Sequence, residues 1–581
     1  MKVSHVEIKN YRNLRSVNVS LESIVTVIGE NNSGKTNFLR ALSIPLSSDD
    51  SGYSKRLSWY DINQDAKEEY YTFLSENKQR ILDNDLSVED FLTVLPEVTI
   101  KLYLQPDENE HYDVRDILCE NKDENWIGGI YYRFFVSSPE ELLKRIHQII
   151  SSDLYNNRAR MSLLPMELFS YSITVPGKES KISYETLTKF RSVGLPAERD
   201  NFASNSEKLG SRALSEILQR ELTPDSQIRI EEKYTEFFDT IKKEGKLETV
   251  LNWQDYSDIP NARDFFPKIN ILPNLPRMNS IINGVRLGYE NDYMFVQGLG
   301  HRNLVLMSVI LNSYINQPHQ MSFRLMTIEE PEAHLCNSNI QLMISMIYLF
   351  GRKNTYTQII YSTHNAEFVN KFGLERVIVF HNGHAFSLNN ELTETDRKYL
   401  SVNPNTDIFK LFYSRKVILV EGITEELLIK SYFQTRKELS EITILSFHKG
   451  FTKIIDVWKK INRGTTNKLG IVRDFDEQPN AQHEHEIQQD KQVIVATTQG
   501  YTLETDIVSD NCQLLQSHYG EEYGWNSMTQ DEIQQDWRNH QKSAIILRIC
   551  KDLICGELAT FVIPQHIQKI IDFMQGDTDE N

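Results

Sequence analysis

The sequence predicts an α/β chain: a phosphate-binding domain split by a largely helical insertion, then a second parallel sheet. A glycine-rich loop, "GENNSGKT", stands between an apolar strand and a helix. Two further apolar runs that deliver acids or a histidine at their ends appear only after residue 290. From residue 413 a fresh alternation of strand and helix begins.

In chain order, "VSHVEI" and "VNVSL" alternate as strands do before the apolar run Ser23 to Ile28 enters the loop. The runs "EVTIKLYL" (97–104) and "GIYYRFFV" (129–136) are rich in β-branched and aromatic residues, as strands are. Residues 138–290 turn mainly helical, with patterned stretches such as "PEELLKRIHQIISSDL". They read as an insertion, with a possible dimerisation role, between two parts of one domain, 1–137 and 291–395. Polar residues 396–412 read as a linker. In 413–581, "KVILVEG", "ITILSF", "KLGIVRDFD" and "VIVATT" predict parallel strands separated by helices.

At 581 residues the chain exceeds one hydrophobic core, so two or three domains are expected. No stretch approaches the roughly 18 to 20 apolar residues of a membrane helix, and "MKVSHVEIKNYRNL" lacks a signal-peptide layout, so a cytoplasmic protein is expected. The five cysteines have neither zinc nor disulfide spacing. A formal charge of −18 argues against coating nucleic acid by bulk electrostatics and leaves room for a local basic groove.

"GENNSGKT" fits G-x-x-x-x-G-K-[ST] through Gly29, Gly34, Lys35 and Thr36. Backbone N–H groups of the loop, including Asn32 and Ser33, form an anion nest with the helix N-terminus. Lys35 neutralises phosphate charge and Thr36 ligates Mg²⁺. "LMTIEEPE" delivers Glu329 for Mg²⁺ and Glu330 to orient or deprotonate a water. "IIYSTHNAEF" ends a strand at His364, within reach of a γ-phosphate, and "QGLGHRN" offers Gly298 and Gly300 before a helix. An ATP site with Mg²⁺ is therefore expected.

"LVEGITEELLIK" places Glu421 at a strand end and Glu425 in the helix beyond Gly422. "KLGIVRDFD" ends in Asp474 and Asp476, at a spacing that puts both on one side of an extended backbone. "YTLETD" adds Glu504 and Asp506. In a parallel sheet all carboxyl ends share one edge, so these acids converge and repel unless cations lie among them. Oxygen ligands without His or Cys suit Mg²⁺ or Mn²⁺, and two such ions suit phosphodiester cleavage.

The order of the first four motifs resembles the ABC-type ATPase head family of recombination and chromosome-maintenance proteins. "QGLGHRN" departs from that family's Ser-Gly-Gly signature. "EG" followed by "DFD" looks like a Toprim domain, and a Toprim domain behind such a head resembles the OLD (overcoming lysogenization defect) family of nucleases. The resemblance implies an ATP-binding DNA endonuclease in which Glu421, Glu425, Asp474, Asp476 and Glu504 serve the metal pair. It implies a homodimer or larger homo-oligomer with ATP held between heads. It also implies a late lysine, with Lys542 the best match and Lys551 a substitute. A role in antiphage defence follows from the family, sometimes beside a second component such as a helicase-like protein or a retron reverse transcriptase with its RNA–DNA. The alternative is an ATP-switched DNA-binding clamp that does not cut.

Overall fold

The computed structural model describes residues 1–48, 55–107, 110–120, 126–152, 160–197, 209–245, 278–282, 284–314, 321–354, 356–401, 406–434, 436, 439–447, 451–475, 477–539 and 542–576. The chain forms two compact units: Met1–Leu195 with Met321–Pro331 and Thr355–Asn581, and Pro196–Gln320 with Glu332–Asn354.

In the first unit, an antiparallel sheet is built around strands Lys2–Tyr11, Val98–Gln105 and Trp126–Val136. The alternation of buried and more exposed residues marks a sheet with one covered face. A seven-stranded sheet carries the nucleotide motifs. Its central strands run Val377–His381, Ile24–Gly29, Thr357–Ser362, Phe323–Glu329 and Phe190–Leu195, all parallel. Ile24–Gly29 and Thr357–Ser362 are buried at every position, as strands covered on both faces must be. The loop strand is thus the neighbour of the strand that ends before His364, which in turn pairs with the strand of Glu329.

Residues 138–290 are not helical throughout. Phe169–Thr174 joins the antiparallel sheet and Phe190–Leu195 joins the seven-stranded one. Helix Pro139–Ile150 lies in the first unit, and helices Leu209–Glu221 and Pro224–Glu244 lie in the second.

The last sheet is four-stranded and parallel, ordered Thr443–Ser446, Lys416–Val420, Lys468–Arg473, Val493–Thr497. Much of 396–412 is structured, with helix Glu394–Ser401 and the 3₁₀ helix Thr406–Phe412. Leu388, Leu392, Leu400, Phe409, Leu411 and Phe412 belong to one buried core with Ile28, Val377 and Val379 on one side and Val417, Leu419 and Leu469 on the other. The stretch that reads as a linker therefore supplies part of that core. Among the described residues no helix is long and apolar enough to cross a membrane, and all five cysteines are free.

Candidate functional site

The nucleotide loop is preformed. Gly29 has φ +152°, and a Cβ there would lie 2.3 Å from the Phe380 carbonyl oxygen, so the neighbouring strand leaves room for glycine alone. Asn32 also has positive φ, and Gly34 caps helix Lys35–Ser43, whose first turn holds Thr36. Lys35 is 7% exposed and its ammonium donates to the carbonyls of Gly29 (2.9 Å) and Glu30 (2.7 Å). Among the described residues the buried Ser33 hydroxyl has no hydrogen-bond partner. A buried loop that holds a cation and an unmet hydroxyl fits a phosphate group.

Glu329 ends its strand in register with Ser362. Glu330 follows with φ 43°, a conformation that strains a residue carrying a side chain, and its N–H donates to the Ser362 carbonyl at 3.0 Å. That turn sets the Glu330 carboxylate 3.7 Å from His364 Nε2. Burial, then the nearby Lys35 charge, lowers the His364 pKa, with Glu330 opposing. Lys35, Glu330 and His364 are therefore gathered as the motifs predict. Gly298 and Gly300 lie in the second compact unit, at the start of helix Leu299–Tyr314, where Asn303 donates to the Ala333 carbonyl at 2.9 Å.

At the four-stranded sheet, Glu421 follows strand Lys416–Val420 and is half-buried. A Cβ on Gly422 would come 2.7 Å from Glu425 Oε2, so the glycine leaves space for that carboxylate, which accepts from Thr424 Oγ1 at 3.1 Å. The adjacent Glu426 turns elsewhere, accepting from the Ser446 N–H (2.8 Å) and pairing with Lys430. Strand pairing makes Lys468–Arg473 the neighbour of Lys416–Val420, so Asp474 and Glu421 leave adjacent strand ends. Asp474 Oδ1 accepts the Leu503 N–H at 3.1 Å, which ties it to the first turn of helix Leu503–Tyr523. Glu504, on that turn, is 7% exposed, and its carboxylate makes no hydrogen bond or ion pair among the described residues. Asp476 lies outside the described residues.

Asp506 departs from the expectation of a metal ligand. Its oxygens accept the N–H groups of Gln499 (2.8 Å) and Gly500 (2.7 Å), and His566 Nδ1 lies 3.0 Å away. Burial raises its pKa, but the His566 hydrogen bond and the two N–H groups outweigh this and hold it below the usual carboxylate value. Asp506 anchors the turn before Glu504.

Lys542 opens helix Lys542–Cys555, with its side chain outside the described residues. Lys551 is exposed on the same helix. The reading from sequence did not single out Lys569. It lines a polar cavity of about 550 Å³ with Phe475, Thr498, Gln499 and His566, beside the loop that carries Asp474. Helix Gln565–Gln575 holds it there, and no local motif marks it in the sequence.

Glu425 and Glu504 are 8% and 7% exposed. Two buried carboxylates in the helices that follow the strands on either side of the Asp474 strand are costly without a cation, and an all-oxygen donor set fits a hard divalent ion. Among the described residues the one group of three His, Cys, Asp or Glu ligand atoms within 4.8 Å of one another is His518, Asp552 and Glu557. Asp552 there already accepts from Tyr519 and pairs with Arg548.

Residues 1–369 match the AAA ATPase domain family, and residues 412–476 match the TOPRIM domain of overcoming lysogenization defect protein-like chains. The chain is similar to Endonuclease GajA of Bacillus cereus strain HuB5-5, at 22% identity over 511 residues, covering 77% of this chain and 70% of the relative. It is also similar to Endonuclease GajA of strain VD045, at 22% over 440 residues, covering 74% and 67%. Among solved structures it is similar to the SMC head domain from Thermotoga maritima, at 11% identity and a TM-score of 0.26, covering 66% of this chain and 97% of that one, a likeness too slight to carry detail. The chain belongs to the AAA ATPase domain family and, with an OLD-like TOPRIM domain behind that head, is an OLD-family nuclease.

Proposed function

We propose that the chain is a nucleotide-controlled, divalent-metal-dependent endonuclease that nicks or cuts DNA at the edge of its four-stranded sheet. The observation that carries this reading is the pair of buried carboxylates, Glu425 and Glu504, in the helices that follow the two strands on either side of the Asp474 strand. Glu421, Glu425, Asp474, Asp476 and Glu504 would hold two Mg²⁺ or Mn²⁺ ions, which when bound activate water and stabilise the leaving oxygen. The Leu503 N–H orients the Asp474 carboxylate, and Asp506 holds the turn that precedes Glu504. Lys569, in place of Lys542 or Lys551, is the late lysine, neutralising charge on the scissile phosphate from the cavity beside Phe475.

In the head, Lys35, Ser33 and Thr36 bind ATP with Mg²⁺. Glu329 would hold the ion, Glu330 would position water, and His364 would donate toward the terminal phosphate. Control passes through the shared core and two direct links. Arg415 Nε lies 3.2 Å from Glu30, the residue after Gly29, and the Tyr413 hydroxyl donates to the His364 carbonyl at 3.4 Å. Tyr413 and Arg415 stand just before the strand that leads to Glu421. The active species is a homodimer or larger assembly with Gly298 and Gly300 facing a nucleotide on a partner copy, and the biological role is antiphage defence, with or without a second component. The resemblance of the chain to endonucleases named GajA and its OLD-like TOPRIM domain support the nuclease reading on which this role rests.

A second reading, an ATP-switched clamp that binds DNA without cutting, draws on the net charge of −18. Incubation of supercoiled and linear DNA with Mg²⁺ or Mn²⁺, with and without ATP, separates the two. Wild type cuts, Asp474→Ala does not, and Lys35→Ala changes the response to ATP. DNA retention without cutting under every condition favours the clamp.

A further inference from the structure

Tyr501 is held outward beside the acidic edge. It follows Gly500 in a turn that is pinned on both sides. Asp506 accepts the N–H groups of Gln499 and Gly500, and Thr498 Oγ1 donates to the Gly500 carbonyl at 3.0 Å. The Thr498 N–H donates to the Arg473 carbonyl at 3.0 Å, and the Leu503 N–H donates to Asp474. The backbone that carries the ring is therefore fixed relative to Asp474 by hydrogen bonds on either side of it. The ring is nevertheless 37% exposed, and the Arg538 guanidinium, itself exposed, lies over it 4.7 Å from the ring centre.

A single exposed aromatic residue needs no explanation. Here the opposite flank of the edge carries another apolar side chain. Ile423 is 59% exposed between Glu421 and Glu425. The strand order places the Asp474 strand between the strand that precedes Ile423 and the strand that precedes Tyr501. An aromatic face backed by a cation on one side and an apolar wedge on the other therefore bracket the acids. Next to any phosphate in DNA stand bases, whose faces stack on aromatic rings and guanidinium planes and whose steps admit apolar wedges.

Resting on the nuclease reading above, we propose that Tyr501 with Arg538, and Ile423 across the edge, form a nucleobase subsite that holds unstacked bases on either side of the phosphate to be cut. The subsite makes an opened or single-stranded segment the preferred substrate. Tyr501 is a positioning residue that touches the substrate and takes no part in the proton or phosphoryl transfers.

The test measures kcat/KM with Mg²⁺ on a DNA strand and its matching duplex, using copies in which one abasic site is moved stepwise across the cut position. Wild type is expected to lose roughly tenfold or more at one abasic position. Tyr501→Ala should show that loss on intact DNA and no further loss at that position, and Tyr501→Trp should behave as wild type. Wild-type cutting that ignores the abasic site everywhere overturns the subsite, as does an equal loss by Tyr501→Ala on every substrate. No cutting of any DNA by wild type would instead overturn the nuclease reading on which the subsite rests.

Discussion

Replacing Asp506 with Asn keeps the side-chain shape while removing its charge and one of its two accepting oxygens. In the native turn the two oxygens take the Gln499 and Gly500 N–H groups, with His566 Nδ1 at 3.0 Å, and Asp506 and His566 are 6% and 2% exposed. Asp506→Asn therefore leaves one backbone N–H without its acceptor and turns the other hydrogen bond into a neutral one. A hydrogen bond to a charged group contributes about 1.5–3 kcal/mol and a neutral one about 0.5–1.5, so the turn loses roughly 2–4 kcal/mol in all. At about 1.4 kcal/mol per tenfold, amide exchange at Gln499 and Gly500 should accelerate about 30- to 700-fold, measured against the strand Ile24–Gly29 in the same sample. The sign with pH follows from the depressed carboxyl. Its stabilising effect is present above the unfolded value near 3.8 and is lost as the pH falls through the lower folded value, so protection of the turn declines in that acid range. Unchanged exchange together with lost Mn²⁺ binding would refute the anchor role and restore Asp506 as a metal ligand.

Gly29→Ala should abolish binding of a fluorescent ATP analogue, because its Cβ would meet the Phe380 carbonyl at 2.3 Å; normal binding would contradict that geometry. Arg415→Ala should shift stability by less than about 1 kcal/mol, since the side chain is 78% exposed, yet it should shrink the difference in cleavage with and without ATP. An unaltered response to ATP would show that control does not pass through Glu30. Lys569→Ala should lower kcat about a hundredfold while Lys551→Ala stays near wild type, and the reverse pattern would return the late lysine to helix Lys542–Cys555.

The seven-stranded and four-stranded sheets were legible because Ile24–Gly29, Phe323–Glu329 and Lys468–Arg473 are largely apolar runs that end in glycine or acid or run directly into acid. The order of those ends also pointed to Lys35, Glu330 and His364, which neighbouring strands bring together. Residues 396–412 misled because their polar side chains outnumber the few apolar ones, Leu400, Phe409, Leu411 and Phe412, that enter the core. Strands Phe169–Thr174 and Phe190–Leu195 are short and lie inside a stretch dominated by helical patterning. Asp506 and Glu504 look alike in "YTLETD". Backbone N–H groups and His566, which stands far downstream in the chain, decide which of the two is satisfied. Lys569 acquires its place only through the packing of helix Gln565–Gln575 on the sheet.

The carboxylate edge is tested most directly by the dependence of plasmid nicking on Mg²⁺ and Mn²⁺ concentration for wild type, Glu504→Gln and Asp474→Asn. It predicts metal-dependent nicking by wild type, a shift of Glu504→Gln to higher metal concentration, and no nicking by Asp474→Asn at any concentration. Nicking by Asp474→Asn that matches wild type across the titration would contradict it.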